Sequence, residues 1–406
     1  MRVLQLIPSV NPASGGPIEG VLRQYAAIQK RGVHEWDIAS LDGPSQPWVK
    51  ECPVPVIALG SDKRFTFRYW KYVPWLRYGY ASDFAPWLRA NAARYDAIVV
   101  NGLWHYLDYA CARILPELGI PYAVYSHGML DPWFRRAYPA KYFFKQVSWW
   151  LAEGRLLRHA GAVLFTTEDE RLLARGAYRP YRVVERVVGY GTATPPPATP
   201  VHVEAFRRSV PNLEARRYLL FLSRIHPKKG CDLLIEAFAA IAGRYPDLDL
   251  VLAGPDQLDW GDGLRAIAKR LGVGDRIHWP GMLSGDAKWG AFRAAEAFVL
   301  PSHQENFGIV VAEALATGTP ALFSRRVNLW REVEEHHAGL TFEDTVAATT
   351  QALESFLASS VAERTTMTRN GVALFGERYE VTVAAERLMG ALQELTQEPQ
   401  REQTAT

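Results

Sequence analysis

Residues whose types and spacing suit chemistry gather in four short stretches. The richest is Pro301–Pro320, PSHQENFGIVVAEALATGTP, in which Glu305 and Glu313 frame a Glu-x7-Glu spacing and Asn306-Phe307-Gly308 follows the first carboxylate. Carboxylates hold ligand hydroxyls, Gly308 lets a ligand approach the backbone closely, and the unpaired amides at a helix start favour an anion. Eight helical residues rise roughly 12 Å. That is the reach of a sugar nucleotide laid along the turn, with Glu305 near the sugar, the amides at the pyrophosphate and Glu313 near the ribose. The plainer alternative is a helix with a capping Glu and a buried Ala/Val face. The Phe-Gly turn, the strand before it and the Gly-Thr-Pro after it favour the ligand.

The second stretch, Ser223–Gly230 (SRIHPKKG), follows a strand-like run. Arg224 and Lys229 at a strand's carboxyl end suit a diphosphate that gains charge as its bond to a sugar breaks. Fixed positive charge aimed at developing negative charge is usually the largest catalytic contribution, and it removes the need for a metal. Arg offers a planar fork and Lys a point charge. A solvated basic loop is the alternative. The third stretch, Pro8–Pro17 (PSVNPASGGP), places Gly15-Gly16 between the first strand and first helix. It admits phosphate or sugar to the backbone, or is only a flexible loop. The fourth, Ser126–Asp131 (SHGMLD), puts His127 and Gly128 after a strand, where the ring can reach a cleft or serve packing.

Elements must position these groups. Short β-rich runs alternate with helical periodicity, which predicts parallel sheets covered by helices. The first half gives strands at Val3–Ile7, Trp36–Leu41, Ala97–Val100, Tyr122–Tyr125 and Ala162–Thr167, with helices at Ile18–Arg31 and Ala140–Leu157. The run GTATPPPATP, Gly191–Pro200, reads as a stiff linker. A second cycle follows, with strands at Tyr218–Ser223, Leu248–Ala253, Arg276–Trp279 and Ala297–Leu300. Its helices are Cys231–Arg244, Gly263–Leu271 and Phe307–Thr317. The expectation is an α/β protein of two Rossmann-like domains, residues 1–190 and 201–376, joined by 191–200. Ligands of such sheets sit at the carboxyl ends of the strands, so the predicted site is a cleft between the two arrays.

Bulk properties exclude several classes. The 406 residues exceed what one core usually organises. A formal net charge of +3 gives nucleic-acid binding no support. Cys52, Cys111 and Cys231 are scattered and odd in number, which reads as reduced core thiols without a metal or disulfide pattern. No run approaches the ~20 apolar residues of a membrane span, and MRVLQLIPSV is too short for a signal peptide. A cytoplasmic protein is expected. Neither GxGxxG nor GxxxxGK[ST] occurs where a dinucleotide or P-loop reading needs it.

Together the four stretches resemble glycosyltransferase family 4, with the GT-B fold, over nearly the whole chain. The family's Glu-x7-Glu falls on Glu305 and Glu313, its phosphate-binding Arg and Lys on Arg224 and Lys229, its glycine loop on Gly15-Gly16 and its donor-facing His on His127. The resemblance implies a nucleotide-sugar donor (GDP-mannose or a UDP-sugar), retention at the anomeric carbon, no required metal and no cofactor. It also implies a C-terminal helix, residues 377–397, that returns to the first domain. By the same likeness Gly254-Pro255-Asp256 and Gly281-Met282-Leu283 lie near nucleotide and base. The first domain would then bind the acceptor and the second the donor. The SGGP loop with SHGMLDPW is similar to bacterial enzymes of exopolysaccharide and O-antigen synthesis. An epimerase on the same fold and a noncatalytic nucleotide-sugar-binding module are the rival readings.

Two aromatic-basic stretches bear on the acceptor. Lys63–Tyr80 mixes Arg and Lys with aromatics, and Trp133–His159 repeats the mixture with Arg135, Arg136, Lys141, Lys145, Trp149 and Trp150. Cations beside aromatics suit an anionic membrane at the inner face of the plasma membrane, or a polyprenyl-diphosphate-linked acceptor. An aromatic core side with a solvated basic side is the alternative.

Overall fold

A computed structural model describes residues 1–30, 32, 34–62, 78–256 and 258–397. Residues 63–77 of the first aromatic-basic stretch lie outside them. The chain divides into two compact units: Met1–Gly191 with the segment from Val381 onward, and Thr192–Glu380.

The first unit holds a seven-stranded parallel sheet. Its strands are β1 (Arg2–Ile7), β2 (Glu35–Ser40), β3 (Val56–Ala58), β4 (Ala97–Asn101), β5 (Tyr122–Tyr125), β6 (Ala162–Phe165) and β7 (Glu185–Val187), in the order β3-β2-β1-β4-β5-β6-β7. The second unit holds β8 (Arg217–Leu222), β9 (Leu248–Ala253), β10 (Ile277–Gly281), β11 (Ala297–Leu300), β12 (Ala321–Ser324) and β13 (Gly339–Phe342), in the order β10-β9-β8-β11-β12-β13. Each of these neighbouring pairs is parallel.

Central strands are mostly apolar, with Gln5 and Asp249 as buried exceptions, because helices cover both faces. Val3, Leu4, Ile98, Val99, Phe298 and Leu300 are fully buried. Truncating such a side chain, Phe298→Ala for example, costs about 3–5 kcal/mol. In each sheet the chain builds outward on one side, then crosses to the other. The strand order therefore reverses between β1 and β4, and again between β8 and β11. Those reversals open a crevice at the carboxyl ends of the strands, where open α/β sheets bind ligands.

The Pro-rich run is no free spacer. Thr192 onward belongs to the second unit, where Arg293 hydrogen-bonds the Pro196 carbonyl. The helix Pro200–Ser209 then packs on Gly285–Ala294. Gly290 makes that approach possible, since a Cβ there would strike the His202 carbonyl. The terminal helix Val381–Gln397 packs on Gly16–Gln29 in the first unit. The helix expected at Ala140–Leu157 is a longer run: Pro139–Ser148, a wide turn at Trp149–Glu153, then Gly154–His159.

Candidate active site

In the second unit the reversal point brings Lys229 and Glu305 together. Lys229 ends the short turn Pro227–Lys229 after β8, and Glu305 lies in the loop after β11. Gly230 makes the approach possible. Its φ is +68°, and a Cβ there would collide with the Pro301 carbonyl. His303 N donates to the Lys228 carbonyl at 2.8 Å, tying the two loops. The Lys229 ammonium then pairs with Glu305 Oε2.

Burial, with Arg224 and Lys228 nearby, pushes the Lys229 ammonium down to about 8. Contact with the Glu305 carboxylate acts in the opposite sense and holds the proton. Glu305 is itself fixed by its backbone: its N–H donates to the Arg326 carbonyl at 2.9 Å, and its carbonyl accepts from Asn328 N at 3.2 Å. Asn306 Oδ1 accepts from Asn328 Nδ2 at 3.2 Å. Arg224, after β8, is exposed. Two cations and a carboxylate thus stand at one strand-end crevice, which suits a diphosphate beside a hydroxyl-bearing group.

The helix Ile309–Thr317 starts at Gly308, whose φ is +70°. Phe307 is buried with its ring edge-on to Tyr379, so the ring serves packing in the second unit. Glu313 is buried on this helix. Its Oε1 accepts from Lys288 Nζ at 2.6 Å, while Oε2 is buried without a hydrogen-bond partner. An unpartnered buried carboxylate oxygen costs ~1–3 kcal/mol or more, so it marks a place where a ligand hydroxyl would bind. The loops after β9 and β10 line the same end of the sheet. Gly254 N donates to the Gly281 carbonyl at 2.8 Å, and a Cβ on Gly254 would strike the Ser223 carbonyl. Met282 is exposed while Leu283 is buried. Asp256 is a helix cap: its carboxylate takes the amides of Trp260 at 3.0 Å and Gly261 at 2.7 Å.

In the first unit, Gly15 (φ +84°) caps the helix Gly16–Gln29 that follows the β1 loop, and Gly16 is its first residue. Asp42 holds the loop before them, accepting from Ser9 Oγ and Val10 N, both at 2.7 Å. The Tyr190 hydroxyl donates to the Gly16 carbonyl, and its ring occupies the space that Gly20 leaves.

His127 follows β5 at φ +48°. Its ring stacks on Tyr125 at 4.3 Å and meets Tyr190 edge-on at 6.2 Å. His127 Nε2 lies 3.0 Å from Asn101 Oδ1. Asn101 Nδ2 donates to Gln5 Oε1 at 2.9 Å and to the Leu6 carbonyl at 3.3 Å. A carbonyl only accepts, so the amide nitrogen faces Leu6 and the oxygen faces His127. His127 therefore carries its proton on Nε2 and leaves Nδ1 as an acceptor. Burial pushes its pKa down to about 3, so the ring is neutral at neutral pH.

Sequence reasoning missed the residues that hold these groups. Glu170 Oε1 accepts from Ser126 Oγ at 2.7 Å and Gly128 N at 2.6 Å, bracketing His127. Its Oε2 accepts from Thr166 N at 2.7 Å and Thr166 Oγ1 at 2.6 Å. The spacing Thr167-x-x-Glu170 signals a helix start, which Thr167 does cap, accepting from Glu170 N at 3.0 Å. Lys288 and Tyr190 carried no signal of their own. One cation of the second aromatic-basic stretch packs inward. Lys145 is packed over the rings of Trp104 and Phe134, at 4.5 and 4.2 Å, and burial lowers it to about 8. Arg135 lies over Tyr142 and remains exposed.

Known proteins align with both units. Residues 203–373 match the family model of glycosyl transferases group 1, and residues 15–191 match that of the glycosyl transferase 4-like domain. A D-inositol 3-phosphate glycosyltransferase of Segniliparus rotundus is 31% identical over 181 residues, which take in 44% of this chain and 40% of that protein. The match thus spans less than half the length of this curated relative. Among solved structures, Anabaena Alr3699/HepE in complex with UDP and glucose superposes with a TM-score of 0.72 at 17% identity, covering 97% of this chain and 100% of that one. A glycosyltransferase from Rickettsia africae gives 0.75 at 14% identity, covering 98% and 99%. With its first unit matched by one of these models and its second by the other, the chain belongs to the glycosyltransferases they describe and has the GT-B fold.

Proposed function

We propose that this protein is a retaining, metal-independent hexosyltransferase that uses a nucleotide-sugar, a UDP-hexose before GDP-mannose. The observation that carries the reading is the Lys229–Glu305 pair at the reversal point of the second sheet, with Arg224 on the same loop. Arg224 and Lys229 hold the diphosphate and stabilise it as the bond from the anomeric carbon to phosphate oxygen breaks. Glu305 orients donor hydroxyls, and the Glu313 Oε2 atom accepts a ribose hydroxyl. His127 accepts a sugar hydroxyl at Nδ1. The acceptor oxygen bonds the anomeric carbon on the leaving-group face, and its proton passes to the departing phosphate oxygen. The UDP and glucose named for the Anabaena neighbour favour the uridine donor.

Thermal-shift screening of nucleotide-sugars tests the donor, because a ligand of the native state raises its apparent stability. The expected result is a shift with one UDP-hexose, followed by transfer that persists in excess EDTA. Turnover of the donor alone, seen by NMR, would mark an epimerase instead. Loss of transfer in EDTA, restored by manganese, would overturn the metal-independent reading.

The acceptor is proposed to be a glycan, free or polyprenyl-diphosphate-linked, in bacterial polysaccharide synthesis, met by the first unit at an anionic membrane. Among the described residues no helix is long and apolar enough to cross a membrane, so the contact is peripheral. Exposed Phe143, Phe144, Trp150 and Leu151 support it.

A further inference from the structure

The helical run 139–159 carries its exposed apolar side chains in two pairs. Phe143 and Phe144 are 61% and 72% exposed, and Trp150 and Leu151, seven residues on, are 60% and 69% exposed. Seven residues are about two turns, so the pairs share one side of the run. The run continues into Gly154–His159, where Arg155 and Arg158 are three apart and share a face. The segment around Pro180 lies against it: Trp149 Nε1 donates to the Pro180 carbonyl at 2.9 Å, and Trp150 Nε1 to the Arg179 carbonyl at 2.8 Å. The polar tip of Trp150 is thereby satisfied, and its apolar face remains outside.

Between these segments is a cavity of about 110 Å³ lined by Trp149, Trp150, Arg155, Arg158 and Arg182, with no carboxylate in its lining among the described residues. A water takes about 30 Å³, so the cavity suits a phosphate-sized group and is too small for a nucleotide. Guanidinium forks match phosphate oxygens in geometry and charge. Cations beside exposed aromatic and aliphatic side chains are the composition that rests at a lipid headgroup boundary.

We propose that this pocket receives the phosphate of a membrane lipid, whose apolar part lies against Phe143, Phe144, Trp150 and Leu151. The inference rests on the peripheral-membrane reading above and adds to it the chemistry of the lipid and the residues that take it. These three arginines then carry an electrostatic contribution of their own.

Flotation of the full chain tests this with three vesicle types: phosphatidylcholine alone, with phosphatidic acid, and with oleate at matched negative charge. The expected order is phosphatidic acid first, oleate weaker, phosphatidylcholine weakest. The variant Arg155→Gln/Arg158→Gln/Arg182→Gln should bind phosphatidic acid vesicles about a hundredfold more weakly, the product of three cations at an anionic surface. Phe144→Ser/Leu151→Ser should weaken binding to every vesicle type. Both variants should keep the wild-type nucleotide-sugar shift, which shows the fold intact. Wild-type vesicle binding by the arginine variant overturns the pocket and leaves the membrane reading standing. Equal binding to oleate and phosphatidic acid overturns phosphate as the recognised group. A wild type that ignores every vesicle overturns both readings, and stabilisation by inorganic phosphate would then assign the cavity to the free ion.

Discussion

The carboxyl ends of the two sheets are built from opposite materials. In the second unit the polar side chains are charged and paired: Lys229 with Glu305, and Lys288 with Glu313. In the first unit His127 and Asn101 are neutral and hydrogen-bonded, and the Asp42 carboxylate after β2 is taken up by the donors of Ser9, Val10 and Trp48. His127 has lost its charge to burial, and Gly16 offers backbone held in place by Tyr190. On the function proposed above, the difference follows from what each would bind. Burying a charge is expensive unless a partner sits beside it, so a site kept ready for a diphosphate stores its cations against carboxylates. A site for hydroxyls needs only oriented donors and acceptors, which a neutral imidazole supplies at little desolvation cost. Glu170 shows that the first unit can hold a buried carboxylate, but it places that group behind the His127 loop, where four donors meet it.

The sharpest way to break this contrast is to remove a cation from the second unit. Arg224→Ala should lower transfer by at least two orders of magnitude, roughly 3 kcal/mol for one preorganised charge contact. Arg224 is exposed, so thermal stability should stay near wild type. Lys229→Ala should lower transfer as far, and it should also destabilise the fold because Glu305 loses its partner. Single-turnover rates beside melting curves separate the two effects. Near wild-type transfer in the Arg224 variant would remove the charged side of the comparison.

Much of this architecture was legible in the sequence, and the failures have distinct physical origins. Tyr122–Tyr125, Leu248–Ala253 and Ala297–Leu300 begin and end where their apolar runs do, because strands buried on both faces leave no polar alternation to blur the limits. The edge strands Val56–Ala58, Glu185–Val187 and Gly339–Phe342 were missed, being three or four residues each and partly exposed, and so was Ala321–Ser324, which is buried but only four residues long. Within the candidate site, local spacing exposed Arg224, Lys229, Glu305 and Glu313, since each sits at a strand end or on the helix behind it. Their supports were invisible. Lys288 reaches Glu313 across 25 residues, Glu170 reaches Ser126 across 44, and Tyr190 reaches Gly16 across 174. Such pairs obey no period, and only the strand order brings them together. The helical run at 139–159 failed differently. Composition marked it as basic and aromatic, but which cations pack inward, as Lys145 does over Trp104, depends on tertiary neighbours.

A smaller effect sharpens the comparison within the second unit. Glu313→Gln keeps the shape and the contact with Lys288 but replaces one carboxylate oxygen with a donor. If Oε2 receives a ribose hydroxyl, nucleoside-diphosphate binding should weaken about tenfold, the low end for a hydrogen bond to a charged group. The rate from the bound state should change less. Calorimetry with the diphosphate beside a saturated rate assay checks the split. Wild-type affinity in this variant would mean that the unpartnered Oε2 serves something other than the nucleotide.

The smallest effect concerns the neutral side, and it is a dependence on pH. His127 has its pKa lowered by burial from 6.5 to about 3. Below 6.5 the unfolded chain takes up a proton that the folded protein refuses. The stability contribution is therefore whole above that pH and shrinks as pH falls through the window from 6.5 toward 3. Between pH 7.5 and 6 the loss should be about 0.8 kcal/mol, because over that interval this side chain in the unfolded protein goes from about one tenth to about three quarters protonated. His127→Asn is the control. Asn tolerates a positive φ better than most residues and does not titrate. Urea unfolding of both proteins at the two pH values should give a wild-type decline steeper by that amount. Parallel declines would show that the His127 ring takes up its proton in the folded state, and the contrast between a neutral first unit and a charged second would fail at its central residue.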